Sequence, residues 1–138
     1  MKIFSSERIL ACPRPRASKF GASYMPANYK ALKKRLVEEF QLQLPHWKTC
    51  AQPIRVSIEF MTPRVRIADL DNYVKTILDA MEDAKIFVDD IQVCELFAMH
   101  YMGNEDLTTI EITTVEPQMK THYADKVSKK LDKENKLK

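Results

Sequence analysis

Alternation and helical spacing of apolar residues divide the chain into a short series of elements. Ile54, Val56, Ile58 and Phe60 alternate with Arg55, Ser57 and Glu59, which predicts a half-buried strand. Upstream, Tyr29, Leu32, Leu36, Val37 and Phe40 recur at three- and four-residue steps, predicting a helix over about 27–43. The segment Leu44-Pro45-His46-Trp47 breaks it, and Trp47 is expected to pack on the domain. Leu70, Tyr73, Val74, Ile77, Leu78 and Met81 predict a second helix over about 71–83. Glu7–Cys12 reads as a first strand, closed by Pro13-Arg14-Pro15-Arg16. Ile86–Val88 leads into a long strand through Tyr101, and Gly103-Asn104-Glu105-Asp106 predicts a turn into a last strand, Leu107–Val115, as an antiparallel hairpin. The order β-α-β-α-β-β predicts a two-layer α+β domain over residues 1–118, a mixed sheet with helices on one face. Residues 119–138 form a basic tail of weak helical character.

Composition bounds the possibilities. With 138 residues, 45% hydrophobic and 30% charged, the chain fits one soluble domain. No apolar run approaches a membrane span, and Met1-Lys2-Ile3-Phe4-Ser5 has no secretory stretch, so a cytoplasmic protein is expected. Cys12, Cys50 and Cys94 are widely spaced, which suggests idle thiols rather than a disulfide framework or a zinc knuckle. Two glycines, Gly21 and Gly103, are too few for a Walker loop or a dinucleotide fingerprint.

Against this ordinary background one segment is anomalous. Ile67-Ala68-Asp69-Leu70-Asp71-Asn72-Tyr73-Val74-Lys75 and, further on, Val88-Asp89-Asp90-Ile91 place four aspartates and a lysine among apolar residues. Carboxylates crowded together take up protons unless a cation neutralises them, and a hard divalent ion such as Mg²⁺ suits that need. The pattern points to a metal site that hydrolyses phosphodiesters. If the chain is extended up to Asp71, Asp69 and Asp71 share one side; the helix is then expected to start at Asp71 or Asn72. Asp71 and Lys75, four apart, project from one face. Each residue has a plainer reading: Asp71 as a cap, Lys75 as its partner, Asp89-Asp90 as a solvated turn. Jointly these are weaker, because Asp89-Asp90 interrupts a strand-like run with no glycine, proline or asparagine.

Asp-Leu-Asp-Asn-x-x-Lys, then Leu-Asp-Ala, then Val-Asp-Asp-x-Gln-Val resembles the RusA family of Holliday junction resolvases, from about Arg14 to Val115. The resemblance implies a small, often prophage-borne, dimeric endonuclease of DNA recombination and repair that cuts four-way junctions with Mg²⁺ or Mn²⁺. By position, Asp69, Asp71 and Asp90 would be the metal-binding carboxylates and Lys75 the catalytic lysine, with Asn72, Asp79 and Asp89 in supporting roles. The chain departs from the pattern after the second helix, where Glu82-Asp83-Ala84-Lys85 stands in place of the usual glycine.

Charge is segregated. Residues 1–35 carry net +8, 36–118 net −9 and 119–138 net +4. Basic flanks would hold DNA phosphates around an acidic centre. Prolines fix the loop that carries Arg14, Arg16 and Lys19, and this loop resembles the family's Pro/Arg-rich segment, where DNA contact is expected. Arg64 and Arg66 alternate beside Asp69, as phosphate contacts or as surface charge, whereas the tail lysines read as a solvated end. Two other readings compete. A non-catalytic nucleic-acid-binding protein with structural aspartates leaves the acidic centre unexplained. A restriction-type nuclease would need Asp83-Ala84-Lys85 or Glu134-Asn135-Lys136 on a strand, and neither lies on one.

Overall fold

The computed structural model describes residues 1–14, 16–17, 21, 23–116 and 124–137. It is an α+β domain around one mixed four-stranded sheet, in which β1 (Lys2–Ser5), β6 (Leu107–Thr114), β4 (Ile54–Thr62) and β5 (Val93–Met102) lie side by side in that order. β4 (Ile54–Thr62) is a central strand, and its alternation holds: Ile54, Val56, Ile58 and Phe60 are buried. The first helix, α1, spans Ala27–Gln43, as its periodicity predicts. It packs with α2 (Leu70–Asp83) over the buried face of the sheet, where Leu36, Phe40, Ile77 and Met81 have no exposed surface. Trp47 docks on the domain through its indole N–H, which donates to the Ile86 carbonyl at 2.9 Å. Among the described residues no helix is long and apolar enough to cross a membrane.

Four features differ from the sequence reading. The first strand is not Glu7–Cys12 but β1, Lys2–Ser5, paired antiparallel with β6 (Leu107–Thr114). Ile9 and Leu10 are consecutive apolar residues, so they cannot both point to one face of a strand. The segment runs against α2 instead: Cys12 N–H donates to the Asn72 carbonyl at 2.9 Å, and Thr76 Oγ1 donates to the Leu10 carbonyl at 2.7 Å. Second, β5 (Val93–Met102) and β6 are not a hairpin. β5 pairs in parallel with β4, and β4 lies between it and β6. The connection passes so close to Met61 that a Cβ on Gly103 would stand 2.2 Å from its Sδ, so a larger residue there would have to displace the Met61 side chain. Third, Asp89-Asp90 does not lie within a strand. The chain leaves Val88 and makes one 3-10 turn, Asp90–Gln92, before β5 begins. Fourth, the tail, whose helical character the sequence indicates, is docked at one point over its described residues while most of its lysines stay exposed. Ala124–Lys136 forms α3, which buries Val127. A small ribbon of β2 (Arg16–Ala17) and β3 (Ser23–Tyr24) precedes α1.

The α2 terminus that lacks the expected glycine is closed by a non-glycine residue. Lys85 adopts φ 63°, in the left-handed region. Ile86 N–H reaches the Met81 carbonyl and Lys85 N–H the Glu82 carbonyl, both at 3.0 Å, a complete Schellman motif.

Candidate active site

Helix α2 is the platform of the site. Its N-cap is Asp69, with an extended backbone, so the helix starts at Leu70 rather than at Asp71 or Asn72. Leu70 packs against the core and Asn72 N–H already bonds to the Asp69 carbonyl at 3.1 Å, which draws Asp71 into the first turn. Asp69 and Asp71 are therefore not alternate residues of one extended strand. Asp71, Lys75 and Asp79 instead make a single stripe at four-residue intervals, with Asp71 beside the positive end of the helix. Lys75 pairs with Asp79, not Asp71: its Nζ lies 3.4 Å from Asp79 Oδ1. Asp79, and to a lesser extent Asp90, raise the Lys75 pKa above the usual lysine value, so its ammonium stays charged.

The second half of the site is the 3-10 turn. Asp89 is its N-cap: Asp89 Oδ1 accepts from Ile91 N–H at 3.0 Å. Gln92, fully buried, braces the turn from beneath. Its Oε1 accepts from Val88 N–H and Asp89 N–H, each at 2.9 Å, and its Nε2 donates to the Cys50 and Gln52 carbonyls, also at 2.9 Å. Every hydrogen-bonding group of this amide is used. The two adjacent aspartates then face different neighbours. Burial would raise Asp89, but the Ile91 amide and the Lys130 ammonium together hold it below the usual range. Asp90 is raised, by desolvation first and then by Asp89, against the opposing pull of Lys75.

Lys75, Asp79, Asp89 and Asp90 thus form one electrostatic group built from α2 and the turn. Asp69 and Asp71 stay exposed at the start of α2. Among the described residues, no three His, Cys, Asp or Glu side chains are gathered closely enough to share a metal ion. The donor set itself suits a hard divalent cation: it consists of carboxylates, and Asp90 stands beside two like charges that a cation would relieve.

The basic candidates are placed unequally. Arg14 is exposed, and the Cys12–Asn72 bond holds its segment against the N-terminal half of α2. Arg16 is described only by its backbone in β2, and Lys19 lies outside the described residues. Arg64 is committed within the fold, with Nη2 2.7 and 2.6 Å from the two Asp106 carboxylate oxygens. Arg66 is exposed; burial first, and then the Arg66 charge, lowers the His100 pKa. Arg64, Arg66, His100, Phe60 and Tyr73 line a cavity of about 440 Å³ whose wall includes Ala68, next to Asp69. The sequence reading gave no role to Gln92 or Thr76; the available signal for Gln92 was an amide inside the apolar run Ile91-Gln92-Val93.

Fold and site together define a small α+β domain that sets one lysine among aspartates beside a basic loop. The family model of endodeoxyribonuclease RusA matches residues 8–113, and the chain belongs to that family of DNA-cleaving enzymes. No curated protein matches the chain. The family segment ends before α3.

Proposed function

We propose that this protein is a metal-dependent, structure-selective endonuclease that resolves four-way DNA junctions by paired cuts. The observation that carries the reading is that helix α2, with Lys75 paired to Asp79, packs beside the turn that carries Asp90, in a chain of the RusA family. Asp69, Asp71 and Asp90 would hold Mg²⁺, with Mn²⁺ as a substitute. Such an ion would supply Lewis-acid polarisation of the phosphodiester and would lower the pKa of the attacking water below that of bulk water. Lys75 remains cationic and meets the charge that grows on the phosphate; Asp79 aims it. Asp89 and Gln92 keep Asp90 at its station. Arg14 and Arg66, exposed beside the acidic row, contact flanking phosphates and offset its repulsion of DNA. A junction presents two symmetric strands and each chain has one such site, so a two-fold homodimer performs paired cleavage.

The test is incubation of the purified protein with a synthetic four-way junction and with linear duplex, in Mg²⁺, in Mn²⁺ and in chelator. Paired nicks confined to the junction in either metal are expected, with none in chelator. Binding without cleavage in both metals would favour the non-catalytic alternative, in which the aspartates are structural as Asp89 is.

A further inference from the structure

Helix α3 lies outside the segment that matches the family, and yet it touches the turn that carries Asp90. Its apolar anchor is small: Val127 is buried against Val88, with Leu131 packed beside them. Charges complete the docking. Lys130 Nζ donates to Glu82 Oε1 at 2.9 Å and to Asp89 Oδ2 at 3.3 Å. Lys126 Nζ stands 3.8 Å from that same Asp89 oxygen, and Lys85 Nζ donates to Glu134 Oε1 at 2.8 Å.

The contact with Asp89 matters because of what Asp89 does. It is 8% exposed, next to a second carboxylate, and its Oδ1 is committed to the Ile91 amide. Two like charges in a poorly hydrated place repel, and Asp89 could escape by rotating toward water. That rotation would free the Ile91 amide and loosen the turn. A cation on Oδ2 removes the incentive. Lys130 supplies it, with Lys126 behind.

We propose that α3 is a clamp on the Asp90 turn, with Lys130 as the positioning residue that holds Asp89 in its capping role. The clamp rests on the nuclease reading only for its kinetic readout; the geometry of the turn is tested without it. In the full-length protein, Lys130→Met, Lys130→Arg and Glu134→Gln are compared with the parent by amide hydrogen exchange at Ile91 and Gln92. Mn²⁺ affinity is measured by calorimetry, and cleavage is measured as a function of metal concentration. Lys130 is partly exposed, so the expected effect of Lys130→Met is about two- to fivefold: faster exchange at both amides, and weaker Mn²⁺ binding. The metal needed for half-maximal cleavage should rise with no change in KM for DNA. Lys130→Arg should recover most of this, and Glu134→Gln, which loosens α3 without touching Asp89, should change little. Unchanged exchange in Lys130→Met would overturn the proposal. So would equal effects of Lys130→Met and Glu134→Gln, since helix docking rather than the Asp89 contact would then be responsible. If the parent cuts no DNA in any metal, the nuclease reading fails while the exchange comparison still decides the clamp.

Discussion

Gln92→Leu is the most demanding perturbation of this site that leaves every charge in place. Leucine is close to glutamine in volume, so the packing loss is small and the hydrogen bonds are what is removed. Four bonds vanish together, to Val88 N–H, Asp89 N–H and the Cys50 and Gln52 carbonyls. Two of these backbone groups keep a partner, because Val88 N–H also donates to the Cys50 carbonyl at 3.3 Å. The Gln52 carbonyl, on an exposed residue, also accepts from the Cys50 thiol at 3.8 Å, so the loss that counts is the buried Asp89 N–H. At about 1–3 kcal/mol for a buried group left unpaired, that is the cost expected. It is an appreciable part of the ~5–15 kcal/mol typical of a folded domain. Urea unfolding followed by circular dichroism should show the midpoint falling with the slope unchanged. Gln92→Glu should not recover the loss, because it would bury a carboxylate beside Asp89 and set its second oxygen against the Cys50 and Gln52 carbonyls. A loss below about 1 kcal/mol for Gln92→Leu would refute the argument, since it would mean that water or a shifted backbone satisfies these groups.

Four further outcomes are expected. Lys85→Gly should be more stable than Lys85→Ala by about 1 kcal/mol in thermal unfolding, because both lose the Glu134 pair and only glycine relieves the left-handed backbone at φ 63°. Asp90→Asn should abolish cleavage in the junction assay while junction binding is kept or improved. It should also alter the pH dependence of stability in chelator. Asp90 holds its proton above the usual aspartate value of 3.8, so the parent loses stability as pH rises through that window; the variant should not, and the difference stays under about 1 kcal/mol because the side chain is exposed. Lys75→Ala should lose most turnover without being rescued by added metal, and full rescue in a Mg²⁺ titration would reduce Lys75 to a counter-charge. Arg14→Ala should weaken junction binding and lower the slope of log affinity against log salt by about one, and an unchanged slope would remove Arg14 from the DNA interface.

Much of this architecture is legible in the residues alone. The bounds of α1 and the buried face of β4 follow from spacing, because periodicity reports which side of an element avoids water. The aspartate–lysine motif and its family likewise need only residue order. What spacing does not encode is the identity of the neighbour. A turn-like Gly103–Asp106 segment is compatible with a hairpin, yet β4 occupies the place between β5 and β6, since the most regularly apolar strand is best buried with partners on both sides. Ile9 and Leu10 look strand-like until α2 satisfies their segment with the hydroxyl of Thr76 and the carbonyl of Asn72. The tail lysines look solvated until Val127 and Val88 bring two of them to Asp89. The site divides the same way. The sequence determined which groups carry the charge; the tertiary structure decided that Lys75 meets Asp79, that the Asp90 turn packs beside their helix, and that Asp89 turns to Lys130. The reason is that hydrophobic burial is read residue by residue, whereas hydrogen bonds and ion pairs exist only between groups that distant parts of the chain bring within reach.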